Sequence, residues 1–558
     1  MLHLCKREER EKMNRKFIDI LFAALVFSLP FGYIPRAFWQ TILGGPYGHD
    51  LISYPIIIGF LYTAYCQWKY RDSLIKCGGV FKKFILIYIA ILLISLVWGL
   101  FNYPYYDQIL NGPADQIEKL PKALAIFHGI GISIEEKTML EIWMFARPIK
   151  GVLFEAFYTF GAAYMIFCWY HDRVQRAIDI LLKVTTADLM LVAAYGLIDV
   201  CYQNGQMWAQ DALIFLNPLI HADVLMEPTA LEFHPLMFRD AQNRSLFLEP
   251  SYFGIYMAFA YPILWWEIFR SQHKIKKAAL WILFSIITFE LFLAQSRLAL
   301  AVNFGVLGLF VLFCLYRYQK EWLILITSLL IFGGIALGGA MAFLQYGQVP
   351  SIMADWTPLA SKWIEMQGSG ITKGDRDIQA DDYFKEGLGS LSSNYNGVHA
   401  GSNHTRMKVM KTNIEIGREH PALGVGTSMR VAYLREKLDN DQGEEIRQCN
   451  RRVDELGGLR GGYGNLGDYA VRFAETGFLG LGVFLLPSIV LLYRSKKFIF
   501  DKHMESSIIA PMIFSLLSFV GVMSTGLGDG LNFTFCGWLM MAIGYLYLKE
   551  LKNLSSSH

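Results

Sequence analysis

Apolar residues in this chain come in long blocks, with polar text gathered between them. Twelve blocks approach the roughly 20 mostly apolar residues that a membrane-crossing helix needs. They fall at about 17–35, 51–68, 83–101, 151–170, 177–201, 250–269, 277–294, 298–316, 322–345, 470–493, 506–525 and 531–548. The fifth carries Lys183, Asp188 and Asp199 inside its apolar text. No period relates the first six blocks to the last six. The pattern predicts an all-α polytopic membrane protein of about twelve transmembrane helices. It divides into a bundle of helices 1–9 over 1–345, a large extracytoplasmic helical loop over 346–469, and helices 10–12 over 470–558.

The polar text orients the blocks, because Lys and Arg accumulate on the cytoplasmic side. The N-terminal segment holds Lys6, Arg7, Arg10, Lys12, Arg15 and Lys16. Every second loop after it is basic: Lys69–Lys83, Arg173 and Arg176, Arg270–Lys277, Arg317 and Lys320, Arg494–Lys502, then Lys549 and Lys552. Intervening loops are neutral or acidic; residues 102–147 hold four basic and six acidic side chains. Both ends are therefore expected in the cytoplasm, and 102–150, 202–249 and 346–469 outside it. Phe31–Arg36 offers no small-residue cleavage site, so the first apolar block reads as a retained helix rather than a signal peptide.

Composition agrees. Hydrophobic residues make up 54% of the 558 and charged residues 18%, too few charges to coat several soluble domains. The 15% of aromatics is what interfacial belts would use. A formal net charge of +3 gives nucleic acid no electrostatic footprint. Eight Cys without a CxxC pair support neither a disulfide framework nor a zinc site, and no cofactor motif occurs.

Candidate chemistry sits at the outer ends of the blocks, where ionisable residues are costly and mark sites. Arg147, Arg244, Arg297, Arg406, Arg472 and Glu475 occupy such positions. A guanidinium stays charged and binds phosphate through two parallel hydrogen bonds, so arginines at an external face suit a lipid diphosphate. Each also has a plainer reading, snorkelling or local pairing. Arg297 stands out because its turn is about three residues long. Candidate general bases are Glu249, His404, His420 and Asp468; Glu249 precedes Pro250 and could equally cap a helix. Intramembrane Glu155, Asp188 and Glu290 are expected to pair within the bundle. Asp375/Asp377 and Asp439/Asp441 imitate a metal-binding DxD pair, but that spacing is common in acidic loops and no metal site is assigned.

Four stretches then carry a resemblance. Arg244-Ser-Leu-Phe-Leu-Glu-Pro-Ser-Tyr-Phe-Gly254, Gln295-Ser-Arg-Leu-Ala-Leu300, Arg406 through His420-Pro-Ala-Leu-Gly-Val-Gly426, and Asp468-Tyr-Ala-Val-Arg-Phe-Ala-Glu-Thr-Gly477 occur in one order. Together they resemble the bacterial O-antigen polymerase and O-antigen ligase family over about 245–480. The resemblance implies a metal-independent, inverting membrane glycosyltransferase in the cytoplasmic (inner) membrane, its active site facing the periplasm or cell exterior. The donor would be an oligosaccharide on undecaprenyl diphosphate and the acceptor a growing glycan chain. A chain-length regulator and a flippase would be its partners. Carried over, Arg297 and Arg406 would hold the diphosphate; by position at the outer face, Arg244 is a third diphosphate candidate, and Arg147, Arg472 and Glu475 are candidate substrate contacts. Ligases open the last motif with His-Asn, where this chain has Leu466-Gly467. That departure favours polymerisation of repeat units over transfer of finished glycan to lipid A-core. A twelve-helix transporter and a non-catalytic scaffold are the rival classes; a transporter would be expected to show repeats.

Overall fold

The computed structural model describes residues 2–35, 50–69, 79–221, 242–346 and 400–556, except 33, 119, 442, 460, 461, 465, 529, 532 and 533, together with 224, 237 and 238. Among the described residues every regular element is helical. In chain order they are α1 (Leu2–Phe27), α2 (Ser53–Lys69), α3 (Gly79–Phe101), α4 (Tyr106–Leu110), α5 (Leu120–Gly129), α6 (Glu136–Ala156), α7 (Ala162–Tyr170), α8 (Val174–Gln203), α9 (Met207–Ile220), α10 (Pro250–Arg270), α11 (Lys274–Leu293), α12 (Arg297–Arg317), α13 (Lys320–Tyr346), α14 (Ala400–Glu419), α15 (Arg430–Lys437), α16 (Glu444–Leu456), α17 (Asp468–Ile499), α18 (Ser506–Thr525) and α19 (Thr534–Ser556). A π turn, Phe157–Gly161, joins α6 to α7.

Each of the twelve apolar blocks overlaps helix, the first only as far as Phe27. Among the described residues six helical stretches are long and apolar enough to cross a membrane: Phe81–Phe101, Glu136–Tyr170, Arg297–Arg317, Lys320–Leu344, Asp468–Ile499 and Ser506–Thr525. These are the helices of an all-α membrane protein. Ser53–Cys66 is apolar but shorter, and polar residues interrupt others. Helix α8 carries Arg176, Asp179, Lys183, Asp188 and Asp199, and α10 carries two Pro, three Tyr and two Trp.

Helix α10 can carry them because it is enclosed: from Phe253 to Ile268 every residue is buried. A helix apolar all round needs neighbours on every face, and small residues let these approach closely. A methyl on Gly254 would lie 1.8 Å from Ala299 Cβ of α12, and one on Gly521 of α18 would lie 2.7 Å from the Ala258 carbonyl. The Ser518 hydroxyl donates to Phe259 O at 2.8 Å.

A second apolar core lies outside the bundle. It joins Tyr103, Tyr106, Met139 and Leu140 to Val409, Ile416, Tyr433, Leu434 and Val453, with the Tyr105 and Tyr433 rings edge to face at 4.9 Å. The described part of the 346–469 loop thus shares its core with the 102–150 segment, and the two build one cap.

Candidate functional site

Two helix N-termini start the site. Glu249 is the N-cap of α10, in extended conformation, and Pro250 opens the first turn. There the missing N–H of proline costs nothing and its fixed φ suits the helix. Ser296 is the N-cap of α12 and Arg297 its first residue. The Gly254–Ala299 approach sets these two ends side by side, pinned by Asn303 Nδ2, which donates to Gly254 O at 2.9 Å and Ala299 O at 2.7 Å. Two positive macrodipole ends therefore sum at one place, the arrangement that favours an anion. Arg297 is half-buried there, and its Nη1 is enclosed without a hydrogen-bond partner among the described residues. The Glu249 carboxylate makes no capping bond among the described residues; it accepts the Ser251 hydroxyl at 3.2 Å.

Helices α14 and α17 reach the same end. Gly528 sits against Leu298, next to Arg297, and Gly467 lies against both Leu527 O and Met410, one turn beyond Arg406 on α14. Tyr469 N donates to Gly526 O at 3.4 Å, and the Tyr469 hydroxyl to Met523 O at 2.6 Å. Glu249, Arg297, Arg406 and Asp468 are thereby gathered at one end of the bundle. Arg406 is half-buried and engaged. His420 is not gathered with them. It follows the last residue of α14, fourteen residues from Arg406 and about 21 Å away at the helical rise, with its ring 5.7 Å from that of Tyr433. His404 is on α14, but its side chain lies outside the described residues, as do Asp375 and Asp377.

The remaining candidates are placed differently. Arg244 is 1% exposed, so it does not stand at a headgroup-facing surface to meet a diphosphate. Its Nη2 donates to Met237 O at 3.3 Å, while the next residue's N–H donates to Asp199 Oδ2 at 3.0 Å. Burial, with Arg244 close by, pulls the nearby His221 imidazole down to about 3, leaving it neutral. Arg472 is taken up within the protein: 2.6 Å from Asp468 Oδ2, 2.6 Å from Glu155 Oε1, 2.7 Å from Tyr88 Oη and 4.0 Å above the Phe484 ring. The Asp468 carboxylate is correspondingly engaged. Glu475 lies 3.4 Å from Arg430, a buried side chain whose guanidinium burial pulls below its ordinary pKa against the opposing pull of Glu475. Arg147 is exposed on α6. Asp439 pairs with Arg435, and Asp441 lies 3.6 Å from Lys408, so this DxD pair is two unrelated ion pairs. Of the three intramembrane acids, Glu155 pairs as expected. The carboxylates of Asp188 and Glu290 have no hydrogen-bond partner among the described residues; Glu290 fits only because Gly196 has no side chain, since a methyl there would lie 2.3 Å from Oε2. Among the described residues no group of His, Cys, Asp and Glu could hold a metal.

The third and fourth motifs interlock. Helix α17 breaks at Gly477, where φ is 62° and ψ −164°. In an unbroken helix the 478 and 479 N–H groups would donate to the 474 and 475 carbonyls. Here all four groups pair with the 421–426 turn instead. Val425 N donates to Ala474 O and Gly426 N to Glu475 O, both at 2.9 Å, while Phe478 N donates to Pro421 O at 2.8 Å and Leu479 N to Ala422 O at 3.3 Å. From α3, the Ser95 hydroxyl lies 2.7 Å from Leu423 O and 2.9 Å from Glu475 O. Irregular backbone at membrane depth is tolerated where protein satisfies it, and this turn does so. Sequence reasoning found the glycines but missed Ser95, Tyr88 and Arg430, whose roles exist only across the fold.

No protein-family model matches this chain, and no curated protein sequence matches it.

Proposed function

We propose that the protein polymerises undecaprenyl-diphosphate-linked oligosaccharide repeat units into a surface polysaccharide on the outer face of the bacterial cytoplasmic membrane. The observation that carries this reading is the convergence of Glu249, the α10 and α12 N-termini, Arg297 and the Arg406 end of α14 at one end of the bundle. Two arginines and two positive helix ends oppose the charge of a diphosphate and stabilise it further as it leaves. Glu249 takes the proton of the acceptor hydroxyl. The hydroxyl oxygen bonds the anomeric carbon on the face opposite the breaking sugar–phosphate bond, so the centre inverts and undecaprenyl diphosphate departs with the bonding pair.

Leu466, at the position where ligases carry His, packs against the apolar core of the cap, which supports polymerase over ligase. Purified protein with a lipid-linked repeat unit should produce a ladder of glycans on a gel. Transfer to added lipid A-core without a ladder would overturn the polymerase in favour of the ligase, and no product with either acceptor would overturn glycosyl transfer.

A further inference from the structure

The other end of the bundle holds a cavity that glycosyl transfer does not use. Arg270, at the far end of α10 from Glu249, is 2.5 Å from Asp179 in the second turn of α8. The start of α8 therefore lies about 30 Å from the candidate site, the length of α10. Beside it a cavity of about 190 Å³ opens among α1, α2 and α7, lined by Arg15, Thr63, Cys66, Cys168, His171 and Arg173. Its inner wall is apolar or satisfied: Cys66 and Cys168 are buried, and Trp169 Nε1 donates to Thr63 Oγ1 at 2.9 Å.

The charges around it do not cancel. Arg173 Nη1 donates to Asp19 Oδ1 at 2.9 Å, and Arg176 Nε takes the other Asp19 oxygen at 2.8 Å. Arg15 is 3.4 Å from Asp172. Among the described residues three arginines thus share two carboxylates. Arg173 is held rigidly, its Nε donating to Trp169 O at 3.3 Å and its guanidinium 4.7 Å above the Tyr170 ring. Its Nη2 is enclosed and has no hydrogen-bond partner among the described residues. A held guanidinium with a spare donor, in a basic cavity, suits a phosphate oxygen.

The rim indicates where the phosphate would come from. Phe17, Tyr65 and Trp68 are 39%, 47% and 75% exposed, and Phe17 packs at 4.8 Å on Tyr62 of the cavity wall. Exposed Trp and Tyr mark headgroup depth, and basic pockets between helices take anionic headgroups. We propose that this cavity binds the phosphate of an anionic ligand, with a phospholipid headgroup as the source the apolar rim favours and free phosphate as the other. The volume holds a phosphate and a few carbons, leaving acyl chains against Phe17, Tyr65 and Trp68.

The test reads binding rather than polymer, so it stands apart from the proposed activity. Full-length protein in neutral detergent is given phosphatidylglycerol, phosphatidylcholine or inorganic phosphate, and bound ligand is counted by native mass spectrometry. Wild type should retain one phosphatidylglycerol in preference to phosphatidylcholine. Arg15→Gln removes one surface charge and should weaken that binding about fivefold; Cys66→Phe fills the cavity and should abolish it. Retention of inorganic phosphate by wild type alone, with no preference between the lipids, would support the site with the free ion as its ligand. Equal retention of each ligand by wild type and Arg15→Gln would overturn the proposal. Because Arg15 is exposed, that variant decides the matter even if Cys66→Phe fails to fold.

Discussion

The break in α17 makes Gly477 intolerant of a side chain. At Gly477 the backbone occupies φ 62°, ψ −164°, a region essentially restricted to glycine that costs other residues roughly 1–3 kcal/mol. A methyl group there would also meet the Ala422 carbonyl carbon and oxygen at 2.4 Å and Pro421 O at 2.6 Å. These are backbone atoms, held by the four hydrogen bonds that fill the break, so they cannot swing aside as a side-chain tip would. Overpacking of this kind costs roughly 1–3 kcal/mol more, and Gly477→Ala should lose about 2–6 kcal/mol in all. Gly482, five residues on in the same helix, is the control. It is exposed, and nothing lies within 4 Å of a methyl there. Gly482→Ala should be neutral or stabilising by up to about 1 kcal/mol. Thermal unfolding of each variant in detergent, followed by the monodisperse fraction on size exclusion, separates them. Limited proteolysis should also show the cap loosening only in Gly477→Ala. Equal unfolding midpoints for the two variants would refute the interlock.

Arg297→Ala and Arg406→Ala should each slow polymer formation about 30- to 1000-fold, the effect of losing roughly 2–4 kcal/mol at the transition state. Lys should restore part of it, and wild-type ladders from both Ala variants would remove the diphosphate clamp. Glu249→Gln should abolish polymer while donor binding persists, and His404→Ala and His420→Ala should stay active; the reverse pattern would make Glu249 a helix-end residue only. A cysteine replacing Ser402 should react with an impermeant thiol reagent in intact spheroplasts, and labelling only after lysis would invert the topology. His221 is held neutral to about pH 3 when folded but titrates near 6.5 when unfolded. The unfolded state therefore binds more protons between those values, and stability is lost as pH falls below 6.5. His221→Phe should lose less than wild type between pH 7 and 4.5, read as unfolding midpoints; parallel pH profiles would sink this assignment.

Block length and hydropathy were enough, from the sequence alone, to mark the six described helices that are long and apolar enough to cross a membrane, because apolar runs of that length have few ways to satisfy their backbone except as helices; the shorter α9 lies outside every block. The short turn before Arg297 and the Glu249–Pro250 pair were legible as helix starts because proline and its preceding residue restrict the backbone locally. What the sequence could not rank was which charges remain available to a ligand. Arg244, Arg297 and Arg472 look alike along the chain, yet one is buried beside Asp199 and one is bound by Glu155 and Asp468. Glu155 and Asp468 are 313 residues apart in the sequence, so only tertiary packing could bring both to one guanidinium. The same holds for the glycines of the third and fourth motifs. Their positive φ values allow a break, but whether the freed N–H and carbonyl groups are satisfied depends on a turn some fifty residues earlier and a serine on α3. Local rules act through bonds and neighbouring residues and are written in order; the pairing of buried charges and broken backbone is settled by contacts between distant segments, which that order does not contain.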